Sequence, residues 1–141
     1  MKIVIASDHA GFELKEHIKK QFSGDYEFED LGTYSEESVD YPDYAHPLAE
    51  KVSMDSNLFG VLICGTGNGT VMTANKHANV RVGLCWSPEI AALARQHNNA
   101  NILVMPARFI SVETAFAIFN TFFHTDFEGG RHERRVGKIN L

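Results

Sequence analysis

The 141-residue sequence contains only two cysteines, Cys64 and Cys85, and neither belongs to a CxxC pair. A disulfide framework is therefore excluded, and isolated thiols are typical of proteins from a reducing compartment. No stretch approaches the roughly 20 apolar residues that span a bilayer. The apolar N-terminal run is followed at once by Ser7, Asp8 and His9, which leaves no room for a signal-peptide core. We expect a cytoplasmic protein without a membrane segment.

Positive charge is also scarce in this chain. Lysine and arginine number 13 against 18 aspartates and glutamates, and the net charge is −5. This balance excludes general nucleic-acid binding, which needs a basic surface. Arg131, Arg134, Arg135 and Lys138 nevertheless gather near the C-terminus. A local arginine cluster in an acidic protein favours a small anion as the ligand.

Short apolar runs alternate with amphipathic stretches, a pattern typical of parallel α/β proteins. Five runs predict strands, at residues 3–6, 28–31, 61–63, 82–85 and 102–104. Helices are predicted between and after them, namely one with Leu14, Ile18 and Phe22 inward, one after Pro42, one over residues 70–77, one starting at Ser87-Pro88 and one capped by Ser111. We expect a single-domain three-layer αβα Rossmann-like fold with a five-stranded parallel sheet over residues 1–141.

The C-terminal segment departs from this pattern. Residues 126–141 are polar and contain too few apolar side chains to pack alone. We expect this tail to contact a partner subunit.

The strongest chemical signal is the loop that follows the third predicted strand, Cys64-Gly65-Thr66-Gly67-Asn68-Gly69. Glycines allow a ligand to approach the backbone closely, and successive free N–H groups bind an anion. These donors also favour the thiolate form of a nearby cysteine, which is the form that acts as a base. The loop therefore predicts a thiol base beside an oxyanion site.

Other glycine-loop chemistries fail on spacing. Thr70 stands where a GxGxxG dinucleotide loop needs glycine and where a Cys-x5-Arg phosphatase needs arginine. The Gly-Lys-Ser/Thr ending of a P-loop is missing as well. A tight strand-to-helix turn with an inert buried cysteine remains the alternative interpretation of this loop.

Several other polar residues follow predicted elements. Asp8 and His9 end the first strand, Arg108 follows the fifth, and His97 and Asn98 end the preceding helix. Because ligands of open parallel sheets bind at the carboxyl ends of the strands, we expect these residues and the tail arginines to converge there. Taken singly, each has a structural alternative: a helix cap for Asp8, a core or C-cap histidine for His97, and a solvated tail for the arginines. The remaining histidines lack metal-ligand spacing, so no metal site is predicted.

Taken together, these residues suit aldose–ketose isomerisation of a sugar phosphate. Such a reaction moves a proton between neighbouring carbons, so one base and one oxyanion site suffice without a cofactor. A separate acid/base is needed to open the sugar ring, and cations are needed for a terminal phosphate.

Six segments carry a family resemblance: Ser7-Asp8-His9-Ala10-Gly11-Phe12, Asp40-Tyr41-Pro42, Ile63-Cys64-Gly65-Thr66-Gly67-Asn68-Gly69, Ala74-Asn75-Lys76, Arg95-Gln96-His97-Asn98 and Glu128-Gly129-Gly130-Arg131-His132. With these segments, the chain resembles ribose-5-phosphate isomerase type B from end to end. The family also includes allose-6-phosphate and galactose-6-phosphate isomerases. One branch of it replaces the cysteine and uses a glutamate just after the glycine loop. Thr70 occupies that place here, which favours the cysteine mechanism.

The resemblance implies a role for each site residue. Cys64 is the proton-transfer base, Thr66 assists it, and His97 opens the ring with help from Asp8. Sugar binding falls to Asp8, Tyr41, Asn98 and Arg108, phosphate binding to His9, Arg131 and Arg135, and enediolate binding to Gly65, Thr66, Gly67, Asn68 and Gly69. No role is implied for Arg134.

The resemblance further implies interconversion of ribose 5-phosphate and ribulose 5-phosphate, a step of the non-oxidative pentose phosphate pathway. Family members are dimers or tetramers whose sites are shared between subunits, and they need no cofactor. The pair His97-Asn98 favours the pentose over the galactose branch. Three alternatives stay open: an isomerase of a hexose 6-phosphate such as allose 6-phosphate, a sugar-phosphate-binding module without turnover, and a flavodoxin-like cofactor carrier.

Overall fold

A computed structural model describes all 141 residues and contains one five-stranded sheet. The strands are β1 (Lys2–Ser7), β2 (Glu27–Asp30), β3 (Phe59–Cys64), β4 (Val82–Leu84) and β5 (Ile102–Pro106). All neighbouring strands are parallel, and their order across the sheet is β2-β1-β3-β5-β4. The predicted parallel five-stranded sheet is therefore confirmed.

Six helices surround the sheet, and a 3₁₀ turn (His9–Gly11) precedes the first of them. The helices are α1 (Phe12–Phe22), α2 (Pro42–Met54), α3 (Asn68–Ala74), α4 (Pro88–Asn98), α5 (Val112–Phe123) and α6 (Arg131–Val136). None of them combines the length and the apolar content that crossing a membrane requires.

Two separate cores lie on the two faces of the sheet, which gives the predicted three layers. Side chains alternate along each strand, so Ile3 and Ile5 of β1 face one core while Val4 and Ala6 face the other. The larger core packs the sheet against α1, α4 and α5, and the smaller one packs it against α2 and α3. Burial on both faces explains why the strands are continuous apolar runs.

Local sequence signals place the helix starts. The Ser87 hydroxyl accepts the N–H of Ile90 at the start of α4, and the Ser111 hydroxyl accepts the N–H of Thr114 at the start of α5. The helix start predicted at Ser87-Pro88 and the cap predicted at Ser111 are confirmed. The helix predicted over residues 70–77 is instead α3, which begins at Asn68 because the left-handed Gly67 (φ +84°) completes its turn inside the glycine loop.

One face of α1 buries a lysine that the apolar pattern did not single out. The ammonium group of Lys15 is fully buried, 2.7 Å from both carboxylate oxygens of Asp30 and 2.8 Å from the carbonyl oxygen of Thr33. Burial alone would raise the pKa of Asp30, but hydrogen bonds from Lys15, Lys19 and Gly32 outweigh it and lower that pKa. This ion pair anchors α1 to β2 directly behind the loop that follows the strand.

Candidate active site

Three loops lie side by side at the carboxyl edge of the sheet, because β1, β3 and β5 are neighbours. Asp8 and His9 follow β1, the loop of residues 64–69 follows β3, and Arg108 follows β5. This part of the predicted convergence is confirmed, since all three segments leave strands at the same edge.

Cys64 is the last residue of β3, and its thiol is buried inside the turn of the glycine loop. The N–H of Gly67 donates to its Sγ at 3.1 Å, and the Oγ1 of Thr70 lies 3.5 Å from the same sulfur. Only 4% of Cys64 is exposed. One backbone donor, the N–H of Gly67, thus reaches this sulfur, as expected for a thiol at the start of a glycine loop.

The same loop contains further backbone donors. The N–H groups of Gly65, Thr66 and Gly69 donate to no acceptor within the protein, whereas the N–H of Asn68 donates to the Thr66 hydroxyl at 3.2 Å. Unpaired N–H groups at a loop beside a thiol are suited to hold an oxyanion. The geometry therefore permits the predicted chemistry at residues 64–69.

Asp8 serves the fold at the same time as it faces this edge. Its Oδ1 accepts the N–H of Gly11 at 3.1 Å and caps the 3₁₀ turn. The capping role that the sequence left open for Asp8 is thus observed, although it occupies one carboxylate oxygen only.

The ring of His9 is oriented by a backbone group. Its Nδ1 accepts the N–H of Val39 at 3.2 Å. In neutral His9 the proton therefore sits on Nε2, which becomes a donor for an anion.

Two larger side chains flank the glycine loop. The ring of Tyr41, at the start of α2, packs so closely on Gly69 that a Cβ at that position would overlap with it. Arg108 donates its backbone N–H to the carbonyl oxygen of Gly65 at 3.1 Å. Its guanidinium lies over the same glycine, 3.3 Å from where a Cβ would be. Tyr41 and Arg108 therefore form the two walls of the loop.

The expectation that His97 and the tail arginines join this edge is wrong for a single chain. β4 and β5 are parallel neighbours, so α4 between them must run back along the sheet. His97 and Asn98, at its end, therefore lie at the amino edge, where the N–H of Gly60 at the start of β3 donates to Asn101. The six-residue strand β3 separates the two edges by roughly 20 Å.

The C-terminal tail packs at this amino edge and forms the short helix α6. The N–H of Glu128 donates to the carbonyl oxygen of Gln96 at 3.1 Å, which fixes the tail to α4. Arg131 and Arg135 are exposed on α6. A cleft of about 350 Å³ is lined by His97, Asn98, His132, Arg135, Val136 and Ile139. Four of the predicted site residues thus form a second cluster, distinct from the Cys64 loop.

Two residues of this second cluster were not found from the sequence. The ring of His132 stacks on that of His97 with centroids 4.3 Å apart, and Oε1 of Glu128 lies 3.6 Å from the Nε2 of each histidine. Burial, followed by the nearby His97 and Arg131, lowers the pKa of His132. The motif Glu128-Gly129-Gly130-Arg131-His132 was the only sequence signal for this arrangement.

These three residues also have metal-ligand spacing, because their ligand atoms all lie within 4.8 Å of one another. The two imidazole planes are only 13° apart, however. Stacked parallel rings direct their lone pairs side by side rather than toward one point, which is a poor geometry for a shared ion.

The arrangement defines a class: a doubly wound α/β protein with a thiol and a glycine loop of unpaired backbone N–H groups at one edge of its sheet and a histidine–arginine cluster at the other. The family model described as Ribose/Galactose Isomerase matches residues 3–139. The chain belongs to this ribose/galactose isomerase family.

Relatives and solved structures agree with this membership. The probable ribose-5-phosphate isomerase B of Mycoplasma genitalium is 47% identical (97% of this chain and 92% of the relative), and the ribose-5-phosphate isomerase B of Escherichia coli is 41% identical (98% and 93%). The ribose 5-phosphate isomerase structure from Thermotoga maritima has a TM-score of 0.95 at 56% identity (99% and 97%). The Mycoplasma genitalium structure with bound ribulose-5-phosphate has a TM-score of 0.94 at 45% identity (98% and 93%).

Proposed function

We propose that this protein interconverts ribose 5-phosphate and ribulose 5-phosphate through an enediolate. The family and its relatives named ribose-5-phosphate isomerase B support this activity. The observation that makes it chemically specific is the buried Cys64 thiol, which accepts the N–H of Gly67 at 3.1 Å beside unpaired backbone donors. A base and an oxyanion site in contact are what proton transfer next to a carbonyl requires.

In the proposed reaction, the Cys64 thiolate removes the proton from C2 of the open-chain aldose and becomes a thiol. The aldehyde oxygen gains negative charge, which the N–H groups of Gly65, Thr66 and Gly69 stabilise. The thiol then returns the proton to C1, while the hydroxyl proton moves from O2 to O1 with the help of Thr66. The product is the ketose, and Cys64 is a thiolate again.

Substrate binding is assigned to the flanking residues. His97 opens the furanose ring with Asp8 at the opposite end of the sugar, and Tyr41 packs against the ring. The phosphate binds to the Nε2–H of His9 and to Arg131 and Arg135, because guanidinium groups match phosphate geometry. Asn98 and Arg108 hold the sugar hydroxyls.

These roles require a second copy of the chain. Cys64 and His97 lie at opposite edges of one sheet, roughly 20 Å apart. That separation exceeds the length of a pentose phosphate, so one chain alone does not bring both groups to the same substrate. We therefore propose a homo-oligomer, either a dimer or a tetramer, in which residues 126–141 of one subunit complete the site of its neighbour. A two-fold interface creates two such sites.

A cytoplasmic location is part of this proposal, because a working thiolate base needs a reducing compartment. Neither the base nor the oxyanion site calls for a metal or an organic cofactor. We therefore expect activity in the presence of a chelator.

Steady-state assays with ribose 5-phosphate and ribulose 5-phosphate in EDTA test the function. We expect turnover in both directions, and a kcat/KM for ribose 5-phosphate well above that for allose 6-phosphate, since the hexose adds a hydroxymethyl group that the site must accommodate. A preference for allose 6-phosphate would identify a hexose phosphate isomerase instead. Binding of both sugars without turnover would identify a regulatory module and contradict the proposal.

A further inference from the structure

Thr70 contacts the proposed base although it lies just outside the glycine loop. The Thr70 hydroxyl donates to the carbonyl oxygen of Gly67 at 2.9 Å. Its oxygen, Oγ1, also lies 3.5 Å from Sγ of Cys64. A hydroxyl has one proton, so while it donates to Gly67 it can only accept from the sulfur. With the hydroxyl turned to Gly67, this contact is a hydrogen bond only when Cys64 is a thiol whose S–H points to Thr70.

When Cys64 loses its proton, the donor and the acceptor of this hydrogen bond exchange roles. A thiolate cannot donate, but it is a strong acceptor, and hydrogen bonds to a charged group are about twice as strong as neutral ones. Rotation about the Cβ–Oγ1 bond of Thr70 turns its proton from Gly67 to the sulfur without moving any heavy atom. The carbonyl of Gly67 keeps a partner, because the N–H of Val71 also donates to it at 3.0 Å.

Because the contact is buried, few other groups can donate a hydrogen bond to the Cys64 sulfur in place of the Thr70 hydroxyl. Thr70 is 1% exposed and Cys64 is 4% exposed, so bulk water does not reach the contact. The donors that remain on the sulfur side are the fixed N–H of Gly67 and the rotatable hydroxyl of Thr70.

We propose that Thr70 is a positioning residue for Cys64, whose hydroxyl donates to the thiolate before proton transfer and accepts from the thiol after it. Thr70 keeps its own proton throughout, so the proton balance of the isomerisation is unchanged. For catalysis, this inference rests on the proposed function. The link between Thr70 and Cys64 itself does not, because it changes the reactivity of the thiol whether or not a sugar is turned over.

The test compares Thr70→Val, which keeps the shape and removes the hydroxyl, with Thr70→Ser, which keeps the hydroxyl. Thr73→Val is the matched control, because the Thr73 hydroxyl donates to the Gly69 carbonyl at 2.8 Å in the same helix without contacting Cys64. Alkylation of Cys64 by iodoacetamide is followed against pH by peptide mass spectrometry. The charged and titratable neighbours of the loop, Asp8, His9 and Arg108, are the same in all variants.

We expect the half-maximal pH of alkylation to rise by about one unit in Thr70→Val, which corresponds to a tenfold smaller thiolate fraction at a given pH below it. The acidic limb of kcat/KM should shift with it, and kcat at pH 7 should fall about tenfold with KM nearly unchanged. Thr70→Ser and Thr73→Val should stay within about twofold of the wild type.

An alkylation profile of Thr70→Val that matches the wild type would overturn the proposal, whatever its effect on turnover. So would a Thr70→Ser variant as impaired as Thr70→Val, since packing would then explain the loss. If the wild type does not isomerise ribose 5-phosphate, the proposed function fails, yet the alkylation profiles still decide the role of Thr70.

Discussion

The imidazole rings of His97 and His132 stack with their centroids 4.3 Å apart and their planes 13° apart. Of the two side chains, His97 is 41% exposed and His132 only 10%. Both rings line the same cleft, and His97 is the one more open to solvent. Glu128 faces both rings, but two neighbouring positive imidazoles would repel each other.

This stack predicts that the fold loses stability in mild acid. The pKa of His132 is lowered by burial and by its positive neighbours, so the unfolded chain binds the proton more readily than the folded one. Stability then begins to fall as the pH drops through the ordinary histidine value of about 6.5. We expect His132→Gln to flatten this part of the Tm–pH curve, measured by scanning calorimetry from pH 7.5 to 5.5. His124→Gln, at an exposed histidine, should leave the curve unchanged.

The two cysteines should differ sharply in their effect on turnover. Cys64→Ala removes the proposed base, so kcat should fall by at least about a thousandfold while ribose 5-phosphate still binds within a few-fold of the wild-type affinity. Cys85→Ala is the control, because the Cys85 thiol is fully buried in the core. Burial raises its pKa to about 12, so it cannot act as a base near pH 7. Measured kcat and calorimetric Kd values separate the two effects. Near-normal turnover of Cys64→Ala would exclude the thiol as the base.

The features found from the sequence are those with a local signature. Continuous apolar runs indicated the strands, Ser87 and Ser111 marked helix starts, and the glycine spacing of residues 64–69 indicated a tight strand-to-helix turn. Each of these depends on neighbouring residues only, so a single sequence contains the information.

The features that were missed depend on distant contacts. Helix α6 has no apolar periodicity, and it is fixed by the stack of His132 on His97 and by the hydrogen bond from the N–H of Glu128 to the carbonyl oxygen of Gln96.

The predicted placement of His97 at the carboxyl edge was wrong for a different reason. A helix between parallel neighbours must run back to the amino edge, so the alternation of strands and helices already implied its position.

The position of the Tyr41 ring should be sensitive to a methyl group added at residue 69. A Cβ at position 69 would overlap with the ring of Tyr41, so Gly69→Ala must displace that ring. Since Tyr41 is proposed to pack against the sugar, we expect KM for ribose 5-phosphate to rise about tenfold. Gly24→Ala is the matched control, because nothing lies within 4 Å of a Cβ there. In a Tyr41→Ala background the Gly69→Ala change should have little further effect, and additive effects would contradict the coupling.

The buried pair of Lys15 and Asp30 should contribute strongly to stability. Asp30→Asn leaves the fully buried ammonium of Lys15 with only the more distant Glu16 carboxylate, 4.0 Å away, and breaking a buried pair typically costs about 3–5 kcal/mol. Because the pKa of Asp30 is lowered in the folded protein, its ionised carboxylate contributes fully to the free energy of unfolding above about pH 4. This contribution is lost as the pH falls through the pKa that Asp30 has in the folded protein. Urea unfolding at pH 7 measures the loss, with Asp25→Asn, at an exposed position, as the control.

Placement of Cys64 and His97 at opposite edges predicts complementation between subunits. Cys64→Ala and His97→Asn should each be nearly inactive alone. In a dimer with one copy of each, isolated with two affinity tags, one site has both changes and the other has neither, so about half of the wild-type kcat should return.

A dimer of the double variant Cys64→Ala/His97→Asn with a wild-type copy gives the opposite result if sites are shared. Each site then has one altered group, and turnover should stay near that of the inactive single variants. If each chain instead formed its own site, this second dimer would keep half the activity and the first would have none. The two dimers therefore distinguish a shared site from a separate one through opposite outcomes, independently of any effect of the tags on the rate.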